Sequence, residues 1–63
     1  MFKYERKLKG TQVWGACSRE DVALEAVRME QSPGKCIRTM TSNPGCIMMG
    51  EQYLYRAIYV EGE

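Results

Sequence analysis

The sequence predicts an α+β domain of two layers, with one α-helix packed on a mainly antiparallel sheet of four or five strands in the order β-β-α-β-β-β. Three observations predict it. A capped amphipathic run, "SREDVALEAVRMEQ", stands between segments with strand-like alternation. Turn residues ("KG", "NPG", "GEQ") punctuate those segments. A chain of 63 residues makes a single domain, residues 1–63, with one core.

The elements follow in order. In "FKYERKL" (2–8), Phe2, Tyr4 and Leu8 alternate with Lys3, Glu5 and Lys7, which suits a half-buried strand. Arg6 is the exception on the apolar side. Gly10 marks a turn, and "TQVWGAC" (11–17) reads as a second strand paired with the first through the short "KG" connection. Ser18 is a good N-cap, and Asp21 three residues on completes a weaker capping box. Glu20 and Asp21 lie in the first turn, where the helix dipole favours negative charge. Val22, Ala23, Ala26, Val27 and Met29 form a broad apolar stripe flanked by Leu24, with Asp21, Glu25 and Arg28 opposite. Pro33 and Gly34 end the helix, which spans residues 18–31.

"KCIRTMTS" (35–42) reads as a third strand. Pro44 and Gly45 suit the central positions of a type II turn, since proline presets φ and glycine accepts positive φ. "CIMMG" (46–50) is a short fourth strand, "GEQ" a second tight turn and "YLYRAIYV" (53–60) the last strand. One helix covers one face of such a sheet.

Composition narrows the functional classes. The net charge is +1, whereas nucleic-acid binders usually carry a clear basic excess. Charge is uneven, with Lys3, Arg6, Lys7 and Lys9 against Glu5 near the amino end and an acidic bias in the helix. Cysteines 17, 36 and 46 are odd in number and follow no secretory leader, so a reducing, cytoplasmic address is expected, with free thiols. No apolar run reaches the length of a membrane span. A chain this small buries only about 60% of its unfolded surface, which favours a dimer or a bound partner.

The last strand carries the functional question. Tyr53, Tyr55, Ala57 and Tyr59 share one face, and Leu54, Arg56, Ile58 and Val60 share the other. Aliphatic side chains pack a small core without polar partners, while tyrosine hydroxyls need one. This argument turns Leu54, Ile58 and Val60 towards the helix and the tyrosines outward. Arg56 counts against it, because it would then sit on the inner face. The outward patch expected to bind a partner is Tyr53, Tyr55, Tyr59, Trp14, Met48 and Arg38, the residue types enriched in protein interfaces.

Catalytic chemistry finds little support. The chain has no histidine, the commonest general base and zinc ligand. Cysteine spacings of 19 and 10 residues match no familiar zinc site, so neither metal nor cofactor is expected. Cys17 precedes a helix start, where a thiol can be activated, but a small residue tucked under the helix explains it as well. No glycine-rich phosphate loop is present.

In size and layout the chain is similar to the compact proteins with which phages and mobile elements block host machinery, anti-CRISPR proteins among them. The likeness rests on no motif. It implies a non-enzymatic, protein-binding inhibitor that acts by steric occlusion of a larger host partner. The alternative is a small RNA- or single-strand-binding protein, with Lys3, Arg6, Lys7 and Arg38 beside sheet aromatics as its contacts. A third reading is a subunit whose apolar face makes a homodimer.

Overall fold

A computed structural model describes residues 1–43 and 45–61. Its elements are β1 (Phe2–Leu8), β2 (Gly15–Cys17), α1 (Arg19–Arg28), α2 (Pro33–Ser42), β3 (Met48–Met49) and β4 (Tyr53–Tyr59). The four strands form one antiparallel sheet in the order β2-β1-β4-β3. The α+β class and antiparallel sheet match expectation, but the order is β-β-α-α-β-β, with two helices.

The second helix replaces the strand expected over 35–42. Ser32 followed by Pro33 starts a helix here rather than only stopping the previous one. The Ser32 hydroxyl accepts from the Lys35 amide, and proline at the first helical position gives up an N–H that would have no helical partner. Ile37 and Met40 then share a turn and are both buried. Thr41 donates its hydroxyl to the Ile37 carbonyl at 2.9 Å. Asn43 closes the helix on the Thr39 carbonyl through its backbone and side-chain amides.

Helix α1 follows its capping box. The Asp21 amide donates to the Ser18 hydroxyl, and the Ser18 amide donates to the Asp21 carboxylate. Hydrogen bonding from the Ser18 amide, and next from its hydroxyl, holds the Asp21 carboxyl below its ordinary range. The helix ends at Arg28, before the expected residue 31, and Glu30 takes the left-handed conformation at φ 58°. The N–H of Gln31 then reaches back to the Ala26 carbonyl at 2.8 Å.

Strand β2 is shorter than the expected 11–17. Thr11–Trp14 form a loop, anchored where the Thr11 amide and hydroxyl donate to the Leu8 carbonyl. At the other edge, the Cys46 amide donates to the Asn43 carbonyl at 2.9 Å, and Gly45 has φ 87°, as a type II turn requires at its third position. The Pro44 half of that expected turn lies outside the described residues.

The core reverses the expected assignment of faces. In register, Phe2, Tyr4, Arg6 and Leu8 of β1 oppose Tyr59, Ala57, Tyr55 and Tyr53 of β4. Tyr55 is 2% exposed and packs with Val22, Ala26, Ile37, Met40 and Met48. Tyr4, Cys17, Tyr53 and Ala57 pack against this cluster, so both helices cover the tyrosine face. The argument against buried tyrosine was its hydroxyl, and Glu25 answers it. The Tyr55 hydroxyl donates to Glu25 Oε1 at 3.3 Å, and the Glu51 amide donates to Oε2 at 2.9 Å. Glu25, expected on the solvent side of α1, is therefore buried, while Leu24 and Val27 are exposed.

Burial pushes the Tyr55 hydroxyl above its ordinary value of 10, with the Glu25 charge adding and Arg6 opposing. The folded state thus binds this proton more tightly than the unfolded chain. The resulting stability is full below the unfolded value and is lost as pH rises through the folded one. Tyr55→Phe is expected to cost about 1 kcal/mol at neutral pH through the lost hydrogen bond. It should also reduce the fall in melting temperature above about pH 10. Melts of both proteins across that range check this, and an undiminished alkaline fall in the variant would contradict it.

Gly50 is fixed by packing. A Cβ there would lie 2.8 Å from Glu25 Cγ and 2.9 Å from both the Tyr53 carbonyl oxygen and Tyr55 Cε1. The Gly50 amide also donates to that same carbonyl, closing the β3–β4 turn. Gly50→Ala is expected to destabilise by about 1–3 kcal/mol, as overpacking does. Chemical denaturation measures it, and wild-type stability would contradict the packing described.

Candidate functional site

Because both helices lie on one side, the other side of the sheet is left uncovered by the helices of the described residues. Alternation sets its membership: Lys3, Glu5 and Lys7 from β1, Leu54, Arg56 and Ile58 from β4, Ala16 from β2 and Met49 from β3. Lys3 opposes Ile58, Glu5 opposes Arg56 and Lys7 opposes Leu54.

Arg56 organises the centre. Its Nε and Nη2 donate to Glu5 Oε1 at 2.9 and 2.7 Å. Its guanidinium also lies 4.1 Å from the centroid of the Trp14 ring, and the Lys7 ammonium lies 5.3 Å from it. The β1–β2 loop thus folds its indole onto cations of the central strands. Glu5 and Arg56 keep 27% and 37% of their side-chain exposure, so the pair is seated but reachable. Leu54 and Ile58 flank it, half-buried, and Met49 and Val13 are exposed nearby in the chain's β3 and β1–β2 segments. Three cations (Lys3, Lys7, Arg56) stand against one carboxylate (Glu5) on this face. The arrangement sets a guanidinium held in place, an aromatic ring and aliphatic flanks together on one face.

The expected site residues separate across the fold. Trp14, Lys3 and Lys7 belong to the uncovered side. Tyr55 and Met48 are buried, and Tyr53 is half-buried beneath the Arg6 guanidinium at 4.7 Å. Tyr59 lies on the helix side of the sheet and is 60% exposed, meeting Phe2 edge-on at 5.2 Å. Arg38 is exposed on α2, away from the sheet. Arg6 joins Tyr53, Tyr55, Glu25, Arg28 and Glu51 around a small polar cleft of about 140 Å³ on the helix side, where Arg28 and Glu51 pair at 3.0 Å. The patch of three tyrosines with Trp14, Met48 and Arg38 is therefore not a single surface. Arg56, Glu5, Leu54 and Ile58, which stand on the uncovered side, were not among the expected residues, although Arg56 counted against the expected assignment of faces.

The Cys17 thiol is pushed up by burial, with Asp21 adding to the effect and Arg6 opposing it. It therefore stays protonated near neutral pH despite its place beside the start of α1. Among the described residues no helix is long and apolar enough to cross a membrane. Compared with protein families, with curated proteins and with solved structures, the chain finds no match in any of the three.

Proposed function

We propose that this chain is a small non-enzymatic regulator of the cytoplasm that binds a larger protein through its uncovered sheet face and acts by occluding it, as an inhibitor of the phage or mobile-element type would. The observation that carries this reading is the Glu5–Arg56–Trp14 stack set among aliphatic side chains on a face no helix covers. Arginine and tryptophan dominate the energetics of protein interfaces when they stand at the centre of a packed patch. The excess of cations favours a partner surface with acidic groups around an apolar centre.

Lys3 and Lys7 sharing a side with Trp14 favours a second reading, single-strand binding. Two features weigh against it. The Trp14 ring already meets Arg56 and Lys7, and Glu5 would repel a phosphate. Salt distinguishes the two. Neutralising phosphates with Lys3, Lys7 and Arg56 gives a slope of about −0.7 per contact for a single strand, so binding should weaken about 20-fold between about 50 and 200 mM salt. A protein partner held by the Trp14–Arg56 centre is expected to weaken far less. Affinity for the partner captured from the native host, measured at both salt concentrations, checks this. Steep salt dependence with a bound oligonucleotide would replace the first reading by the second.

A further inference from the structure

We propose that the groove between α2 and β3 is a copper(I) site built from the thiolates of Cys36 and Cys46 with methionine thioethers. The groove, about 530 Å³, is lined by Cys36, Met40, Cys46, Met48 and Met49. These are five of the eight sulfur-bearing residues (three cysteines and five methionines) of the chain, of which Met49 alternates to the uncovered face of β3 and stands outside the ligand set. Local geometry explains the convergence. Cys36 and Met40 are four apart on α2, so they share a helix face with Cβ atoms about 5–6 Å apart. Along the entry to β3, Cys46 is half-buried, Ile47 exposed and Met48 buried, and both Cys46 and Met48 line the groove. Met40 and Met48 belong to the packed core, and Cys36 rests against it, so the floor of the groove is rigid.

The donor chemistry selects the ion. Thiolate and thioether sulfur are soft ligands that suit copper(I). Harder alternatives lack donors, since among the described residues no group of three or more histidine, cysteine, aspartate or glutamate side chains could hold a metal. Cysteine spacing alone does not point to such a site, because thioethers are absent from zinc motifs and the two cysteines come from separate elements. Cys36 Sγ sits 3.1 Å from Gln31 Oε1, which accepts a hydrogen bond from the thiol before metal binding. On binding, each of the two thiols releases its proton to solvent and donates a sulfur pair to the ion. Copper remains copper(I), and no electron is transferred. The resulting bis-thiolate complex has a charge of −1, and Lys35 on the groove wall opposes it.

The test is a titration of the fully reduced protein with copper(I), without oxygen, against a chromophoric copper(I) chelator. One equivalent should leave the chelator for the protein. Changing an outer-sphere partner of a metal site typically costs about 10–100-fold in affinity, so Cys36→Ser and Cys46→Ser should each cost at least about 100-fold. Cys17→Ser should bind as wild type. Failure to withdraw copper from the chelator, unchanged affinity in the folded Cys36→Ser/Cys46→Ser double variant, or loss in Cys17→Ser would overturn the site. X-ray absorption at the copper edge of the wild-type complex keeps the proposal testable if a serine variant does not fold. A shell of sulfur alone supports it, and a shell of nitrogen or oxygen contradicts it.

Discussion

Tyr55→Ala is expected to unfold this protein at room temperature. The side chain is 2% exposed and touches both helices through the central cluster. Truncating a buried aromatic typically costs about 3–5 kcal/mol. A core in a chain of this size supplies only about 3–5 kcal/mol in total. The loss therefore consumes the stability of the domain. It also leaves the Glu25 carboxylate buried with the Glu51 amide as its remaining side-chain-to-backbone contact. Far-ultraviolet circular dichroism and dispersion of amide proton shifts measure the outcome. Tyr59→Ala, at a 60% exposed position on the same strand, is the matched control and should remain folded. A folded Tyr55→Ala protein with a cooperative melt would mean that the tyrosine side of the sheet is not the core.

The second large effect is on binding. Trp14→Ala and Arg56→Ala should each leave the domain folded and weaken the partner by about 2 kcal/mol or more, which is roughly 30-fold. Their packing partners make the two effects non-additive. Trp14 loses the nearer of its two cationic neighbours when Arg56 goes, and Glu5 loses its pair. The double variant should therefore lose less than the sum of the singles, a coupling that a double-mutant cycle reads directly. Additive losses would mean that Trp14 and Arg56 meet the partner separately.

Parts of this arrangement are legible in the sequence. Ser18 and Asp21 mark the start of α1 because both halves of a capping box are written within four residues. Asn43–Cys46 signalled a turn because Gly45 alone accepts the positive φ found there at no steric cost. The second helix was not legible in the same way. Ser32–Pro33 reads equally as a stop and as a start, and Ile37, Thr39 and Thr41 carry β-branched side chains that favour a strand. Tertiary burial of Ile37 and Met40 decided the matter in favour of a helix.

The error in face assignment had a different cause. Tyrosine was excluded from the core for want of a hydroxyl partner, and its partner, Glu25, stands 30 residues away on α1. Such a long-range pair leaves no local trace. Arg56 was more informative. A guanidinium in the middle of a strand needs a carboxylate, and antiparallel pairing of the first and last strands puts Glu5 directly opposite it. The uncovered side could have been found from that pair alone.

The claim that the uncovered sheet face is the binding surface is tested most directly by the partner affinity of folded Trp14→Ala, measured beside Arg38→Ala on α2. The account predicts that Trp14→Ala melts as a folded domain and binds at least about 30-fold more weakly, while Arg38→Ala binds as wild type. Wild-type affinity in folded Trp14→Ala, with the loss found instead in Arg38→Ala, would place the interface on the helices and contradict the account.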